Sequence, residues 1–186
     1  YAKREARRRT TLIGALMVRK GYADGMVCGT YGRHSQHLRY IENVIGLQEG
    51  VKNFYAVNML LLPRRTLFIG DTYVNYDPTA EQLAEMTILA SDMVCRFGLT
   101  PKVGLLSHSS FGTEDTPTAL KMRRTLQLLQ EMAPQLEVDG EMHGDAALSE
   151  DIRQQVFPNS RLKGAANLLV MPTLDAANIA FSLLKT

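Results

Sequence analysis

The chain has 186 residues, 45% of them apolar, a formal charge of +2 and two cysteines. That is enough for one sizeable domain with a buried core, while the charge is too small to argue for a nucleic-acid partner. No apolar run reaches the roughly 18 residues of a membrane span, no signal-type segment follows the basic start, and Cys28 and Cys95 lack C-x-x-C spacing, so they read as reduced core thiols of a cytoplasmic protein.

Tyr1 in place of Met reads as the start of a piece of a longer chain. In residues 2–20, an arginine run with Glu5 as its only acid precedes TLIGALMVRK, whose apolar spacing suits a helix stopped at Gly21. Gly25–Gly29 reads as a short buried strand, and Thr30–His34 as a loop. Ser35 is placed to cap a helix carrying Leu38, Ile41 and Val44. Phe54–Leu62 and Thr66–Gly70 form a hairpin around Pro63-Arg64-Arg65, which predicts a mixed sheet. A helix over Ala80–Phe97 follows Asp77-Pro78-Thr79 and ends before Gly98.

KVGLLSHSSFG (102–112) is the central strand and loop, and the helix after it covers Thr118–Met132. Leu136–Val138 is a brief strand, Ala146–Val156 a helix, Asn167–Met171 the last strand, and a terminal helix carries Ile179 and Leu183. Strands alternating with helices predict three-layer α/β architecture, a mostly parallel but mixed sheet with helices on both faces.

Several motifs are absent: G-x-x-x-x-G-K-[ST], G-x-G-x-x-G after a strand, G-x-S-x-G and H-E-x-x-H. Nucleotide hydrolysis, dinucleotide binding and zinc-peptidase chemistry therefore have no support in this chain. Ser107, His108, Ser109 and Ser110 lie beyond the carboxyl end of the central strand, where open parallel sheets hold ligands. They offer hydrogen bonds; capping of the next helix is the plainer use. A Ser-His catalytic reading lacks an orienting carboxylate and an oxyanion hole. Glu141, His143 and Asp145 alternate and could share a face as metal ligands, but Gly140 and Gly144 suggest a tight turn in which the acids cap the following helix. Asp175, with Asn178 one turn on, suits the start of the last helix.

Five ordered segments, ADGMVCGT, DTYVNYDPTAEQLAEMTILASDMVCRFG, PKVGLLSHSSFG, VDGEMHGDAALSEDI and ANLLVMPTLDAANIAF, resemble the phosphate acetyltransferase (phosphotransacetylase) domain across residues 22–184. DGEMHGDAAL, LSHSSFG, FPNSRLKG and TLDAANIAF further resemble the version fused to the C-terminus of large bacterial NADP-dependent malic enzymes. The resemblance implies a two-lobed fold with a coenzyme A cleft between the lobes. It makes residues 1–21 a helical connector at the end of the first lobe and residues 22–186 a second-lobe fragment. The family's catalytic Ser-Arg pair and Asp are expected C-terminal to the segment matched by Asp175–Leu184.

This chain departs from the enzymes in two places. Where they carry a glycine-rich run after the central strand, it reads Phe111-Gly112-Thr113-Glu114-Asp115-Thr116, with two carboxylates facing an incoming dianion. Thr30–His34 also lacks the small-residue pattern. The resemblance then implies a non-catalytic domain that senses acetyl-CoA, contributes to a homo-oligomer and regulates a malic enzyme; the alternatives are a truncated active phosphate acetyltransferase and a purely structural oligomerisation module. The NADP and divalent-metal sites of that enzyme would lie upstream. Ser107, His108, Ser109 and Ser110 are expected to contact acetyl-CoA; Thr30, Tyr31 and Arg33 form a neighbouring wall, Arg33 and Arg65 serve phosphate, and Asp175 and Asn178 face the same cleft. No metal, nucleic acid or membrane is expected at this domain.

Overall fold

A computed structural model describes residues 7–186, so the start of the basic run, with Arg4 and Glu5, lies outside the described residues. The chain divides into two compact units, Tyr1–Asn53 and Phe54–Thr186. No described helix is long and apolar enough to cross a membrane.

The first unit holds α1 (Thr10–Arg19) and α2 (His34–Val44). Gly21 ends α1 as its position suggests: at φ +73° it lets Tyr22 N–H reach Met17 O and its own N–H reach Val18 O, a Schellman closure. Ala15 and Thr11 are buried, and His37 joins the helices, Nδ1 lying 2.6 Å from Thr11 Oγ1 and Nε2 2.7 Å from Tyr31 O.

Three expectations fail here. Residues 25–29 form no strand, and Val27 is fully exposed. Apolar character alone cannot make a strand without a neighbour to complete its hydrogen bonds, and the described part of this unit offers none. Ser35 lies inside α2, whose N-cap is Arg33 with no side-chain capping bond. Cys28 is exposed, and so is Cys95 in the second unit, so neither thiol belongs to a core.

The second unit is a five-stranded sheet with helices on both faces. β1 (Val57–Leu62) and β2 (Arg65–Gly70) are an antiparallel hairpin closed by Pro63-Arg64. α3 (Ala80–Arg96) starts in a capping box between Thr79 and Gln82 and ends at Gly98. β3 (Lys102–Leu106) leads to α4 (Pro117–Met132), with proline in its first turn. β4 (Glu137–Met142) is followed by α5 (Gly144–Leu148) and α6 (Glu150–Val156). These replace the single expected helix, because Ser149 leaves helical conformation and its hydroxyl caps α6 at Ile152 N. β5 (Leu168–Val170) and α7 (Leu174–Leu184) complete the chain.

The strand order is β1-β2-β5-β3-β4, with β2, β5, β3 and β4 parallel. Alternation divides the core. Phe68, Leu168 and Val170 meet α3 and α4 on one face; Leu67, Ile69 and Leu169 meet Ala146, Ala147 and Ala177 on the other.

β4 runs further than the sequence suggests, carrying Glu141 into the sheet rather than a turn. Gly140, at φ +144°, makes this possible: a Cβ there would sit 2.5 Å from Leu105 O, so only glycine lets β4 lie so close to β3.

Candidate functional site

The parallel order sets the carboxyl ends of β2, β5, β3 and β4 side by side along one border of the sheet, the border where such folds hold ligands. The loop after β3 starts with Ser107 N donating to Met142 O at 2.9 Å, which continues the pairing with β4 past the strand. Ser107 is half-buried, His108 exposed, and Ser109 and Ser110 are buried.

Ser109 is the internal anchor. Its hydroxyl donates to Glu141 Oε1 at 2.7 Å and accepts from Glu114 N at 3.1 Å. Glu141, wholly buried, also accepts Gly112 N at 2.9 Å, and its backbone carbonyl accepts Phe111 N at 2.7 Å. Ser109 N reaches Ser107 Oγ, Ser110 N reaches Thr113 Oγ1, and Thr113 N reaches Ser110 O. Every backbone N–H from Ser109 to Glu114 thus has an acceptor inside the protein. An anion-binding nest needs such N–H groups free; this loop directs them to its own side chains and carbonyls.

The two loop acids are held from α4. Arg123 Nη2 lies 2.6 Å from Asp115 Oδ1 and 2.7 Å from Glu114 O, and its Nε is 3.6 Å from Glu141 Oε2. Asp115 beside the guanidinium raises the Arg123 pKa above its ordinary value. One cation among Glu114, Asp115 and Glu141 leaves the neighbourhood with negative charge in excess.

His108 and His143 brace the outside of the loop. His143 Nε2 lies 2.7 Å from His108 O, and His108 Nε2 lies 3.2 Å from Thr116 Oγ1. Glu141, His143 and Asp145 therefore diverge: Glu141 points into the loop, His143 to a carbonyl, and Asp145 Oδ1 to Ala146 N at the start of α5. Among the described residues, no group of three or more His, Cys, Asp or Glu side chains is arranged to hold a metal ion.

Asp175 is exposed in the first turn of α7, and Asn178 Nδ2 donates to Thr72 O at 3.1 Å, tying that helix to the loop after β2. That loop is organised by Asp71, which the sequence reading did not single out. Its buried carboxylate accepts from Ala56, Tyr73, Val74 and Asn75 backbone N–H groups and from Asn75 Nδ2. An Asp closing a strand ahead of a polar turn was the available signal.

Arg65 must be removed from the expected site. It opens β2, so it lies at the opposite border of the sheet, about 17 Å from the carboxyl end at ~3.3 Å per residue. Thr30, Tyr31 and Arg33 lie together in the first unit, all exposed; Thr30 adopts φ +71°, and Thr30 helps line a cavity of about 290 Å³ with Cys28, His34 and His37.

The family model for phosphate acetyl/butaryl transferase matches residues 1–186. The chain is 51% identical to the NAD-dependent malic enzyme of Rhizobium meliloti, covering 100% of this chain and 24% of that protein. It is 54% identical to the NADP-dependent malic enzyme of Escherichia coli, covering 94% and 23%. Identity to the phosphate acetyltransferase of E. coli is 33%, covering 96% and 25%. The chain therefore spans about a quarter of the length of these relatives. A crystal structure of a phosphotransacetylase from Streptococcus pyogenes superposes with a TM-score of 0.86 at 28% identity, over 94% of this chain and 54% of that one. Fold and sequence agree: the chain belongs to the phosphate acetyl/butaryl transferase family, as a phosphotransacetylase-like domain of the kind found in malic enzymes.

Proposed function

We propose that this chain is a non-catalytic regulatory domain of a malic enzyme, which binds acetyl-CoA and helps to hold a homo-oligomer together. The parent enzyme would oxidatively decarboxylate malate to pyruvate with NADP and a divalent metal, both bound outside this chain, in the cytoplasm. The greater identity to malic enzymes than to the phosphate acetyltransferase supports that assignment.

One observation carries the non-catalytic part: the N–H groups of Ser109–Glu114 are all engaged within the protein, and Glu114 and Asp115 add negative charge beside them. Phosphate entering there has no free donors and meets like charge, which at 4 Å costs about 1 kcal/mol per pair in water and about 4 near a protein surface. A thioester ligand can still lie against the border of the sheet. Ser107 and His108 are its accessible contacts from the β3 loop, with Ser109 and Ser110 holding that loop from beneath. Asp175 and Asn178 contribute from α7. Thr30, Tyr31 and Arg33 form an exposed group within the first unit, where the Arg33 guanidinium is suited to phosphate. Regulation requires acetyl-CoA to prefer one arrangement of the parent enzyme, by ~1–3 kcal/mol in typical cases.

The test is calorimetric titration of acetyl-CoA into the full-length protein, with malate kinetics in its presence and absence. Heat of binding and altered kinetics are expected, as is no formation of acetyl-CoA from acetyl phosphate. Binding without any change in malate kinetics removes the regulatory role; turnover of acetyl phosphate removes the non-catalytic one.

A further inference from the structure

β4 is an outer strand of the sheet, and beside it a cavity of about 510 Å³ opens between two walls. Arg123, Leu126, Gln127 and Gln130 form one wall, their spacing of three and four placing them on a single face of α4. Phe157, Asn159 and Arg161, from the connector after α6, form the other, and Asp139–Glu141 of β4 make the floor. Phe111 stacks on Phe157, with ring centroids 4.2 Å apart and planes 15° from parallel, which gives the cavity a flat apolar side.

Most polar groups here are engaged. Glu141 Oε1 is held by Ser109 and Gly112, and Arg123 Nη2 by Asp115 and the Glu114 carbonyl. Asp139 accepts Ser160 Oγ, Arg161 N and Gly140 N, and Arg161 Nη2 donates to Pro134 O at 3.4 Å. Two atoms are left. Glu141 Oε2 and Arg123 Nε are both buried, lie 3.6 Å apart and make no hydrogen bond among the described residues. The Glu141 side chain has no exposure at all, so bulk water does not satisfy it. A buried polar atom without a partner costs stability and calls for a physical reason.

The pair dictates what can fill it. An occupant must donate to Oε2 and accept from Nε with neighbouring atoms of one edge. It carries no net charge, because the cavity already sets two carboxylates, Asp139 and Glu141, against two guanidiniums, Arg123 and Arg161. It is flat where it meets Phe157. Adenine meets all three conditions: its N6–H donor stands beside the N7 acceptor, and its face stacks on aromatic side chains. On the same edge guanine shows two acceptors, O6 and N7. Its other edge adds a second donor, N2, for which Glu141 has no further free oxygen. The volume falls in the usual range of small-molecule sites.

We propose that this cavity binds an uncharged adenine nucleoside, held at its base edge by Glu141 and Arg123 and on its face by Phe157. Both polar residues also anchor the loop after β3, so the occupant completes the network that fixes that loop.

The test is calorimetric titration of adenosine into the full-length protein with NADP and acetyl-CoA both saturating, so that sites for those adenine-bearing ligands are already filled. Heat of binding is expected. Purine riboside, which lacks the N6 amine, should bind about tenfold more weakly or worse, since it gives up a hydrogen bond to a buried charged group. Gln130→Trp and Asn159→Trp each put a bulky ring into the cavity from an exposed position and should abolish the heat with an unchanged circular dichroism spectrum. No heat with adenosine, equal affinity for purine riboside, or undiminished binding in whichever variant folds overturns the site. Acetyl-CoA binding is judged by its own titration, and its failure would leave the adenosine result unchanged.

Discussion

Ser109 and Glu141, 32 residues apart in sequence, share a 2.7 Å hydrogen bond that fixes the loop after β3 to β4. Because Glu141 also accepts Gly112 N and faces Arg123, Glu141→Ala strands three donors at once. The expected loss of stability is about 3 kcal/mol. Glu141→Gln keeps an acceptor for Ser109 and Gly112 and should lose about half as much. Urea unfolding of both variants checks this; equal losses would mean that the charge, not the hydrogen bonds, holds the loop.

Gly140 and Gly98 both adopt positive φ, yet substitution should affect them very differently. At Gly98 a Cβ meets nothing within 4 Å, so Gly98→Ala should cost about 1 kcal/mol, the left-handed backbone penalty alone. At Gly140 the Cβ would also lie 2.5 Å from Leu105 O, and Gly140→Ala should cost more than about 4 kcal/mol or abolish folding. Thermal melts of the two variants test the contrast.

Arg153 is fully buried, and its guanidinium donates to Ala146 O, Leu162 O and Gly164 O at 2.8, 3.0 and 2.6 Å. It staples α5 to the connector before β5. Arg153→Met fills the space but leaves the three carbonyls without this donor, at a cost of about 3 kcal/mol. Arg153→Lys should recover little, since a single ammonium cannot span the three acceptors. Recovery to wild-type stability by lysine, in guanidinium titrations, would contradict the staple.

Glu81, in the first turn of α3, has a pKa held below the ordinary glutamate value by its own backbone N–H and then by the Thr79 side chain. A carboxyl depressed on folding adds stability above its unfolded pKa and loses it as pH falls through the folded one. Nuclear magnetic resonance titration should find the Glu81 midpoint below that of an exposed glutamate, and Thr79→Ala should raise it. An unmoved midpoint in the variant would remove Thr79 as a cause.

The parts legible in sequence are those with local causes. Thr79 and Gly98 bracket α3, Pro63-Arg64 closes the hairpin, and the polar run after β3 sits where a parallel sheet presents loops. What escaped depends on distant partners. Gly140 reads as a turn until Leu105 is seen against it, and Glu141 reads as an acid capping the following helix until Ser109 and Gly112 claim it. Arg65 looked close to the central loop because sequence carries no strand direction, and the direction of β2 sends it to the far border. The strand expected at 25–29 failed for the same kind of reason: three apolar residues between glycines do not name a neighbour.

β5 is the last strand in the chain and sits between β2 and β3 in the sheet. During translation, therefore, a nascent chain that has emerged only as far as Asn167 holds a hairpin and a β3–β4 pair whose inner flanks are both bare. Leu168–Val170, only three residues long, zips the two halves together. Assembly of the full sheet must wait for this late insertion, and non-local parallel pairing of this kind is intrinsically slow to form.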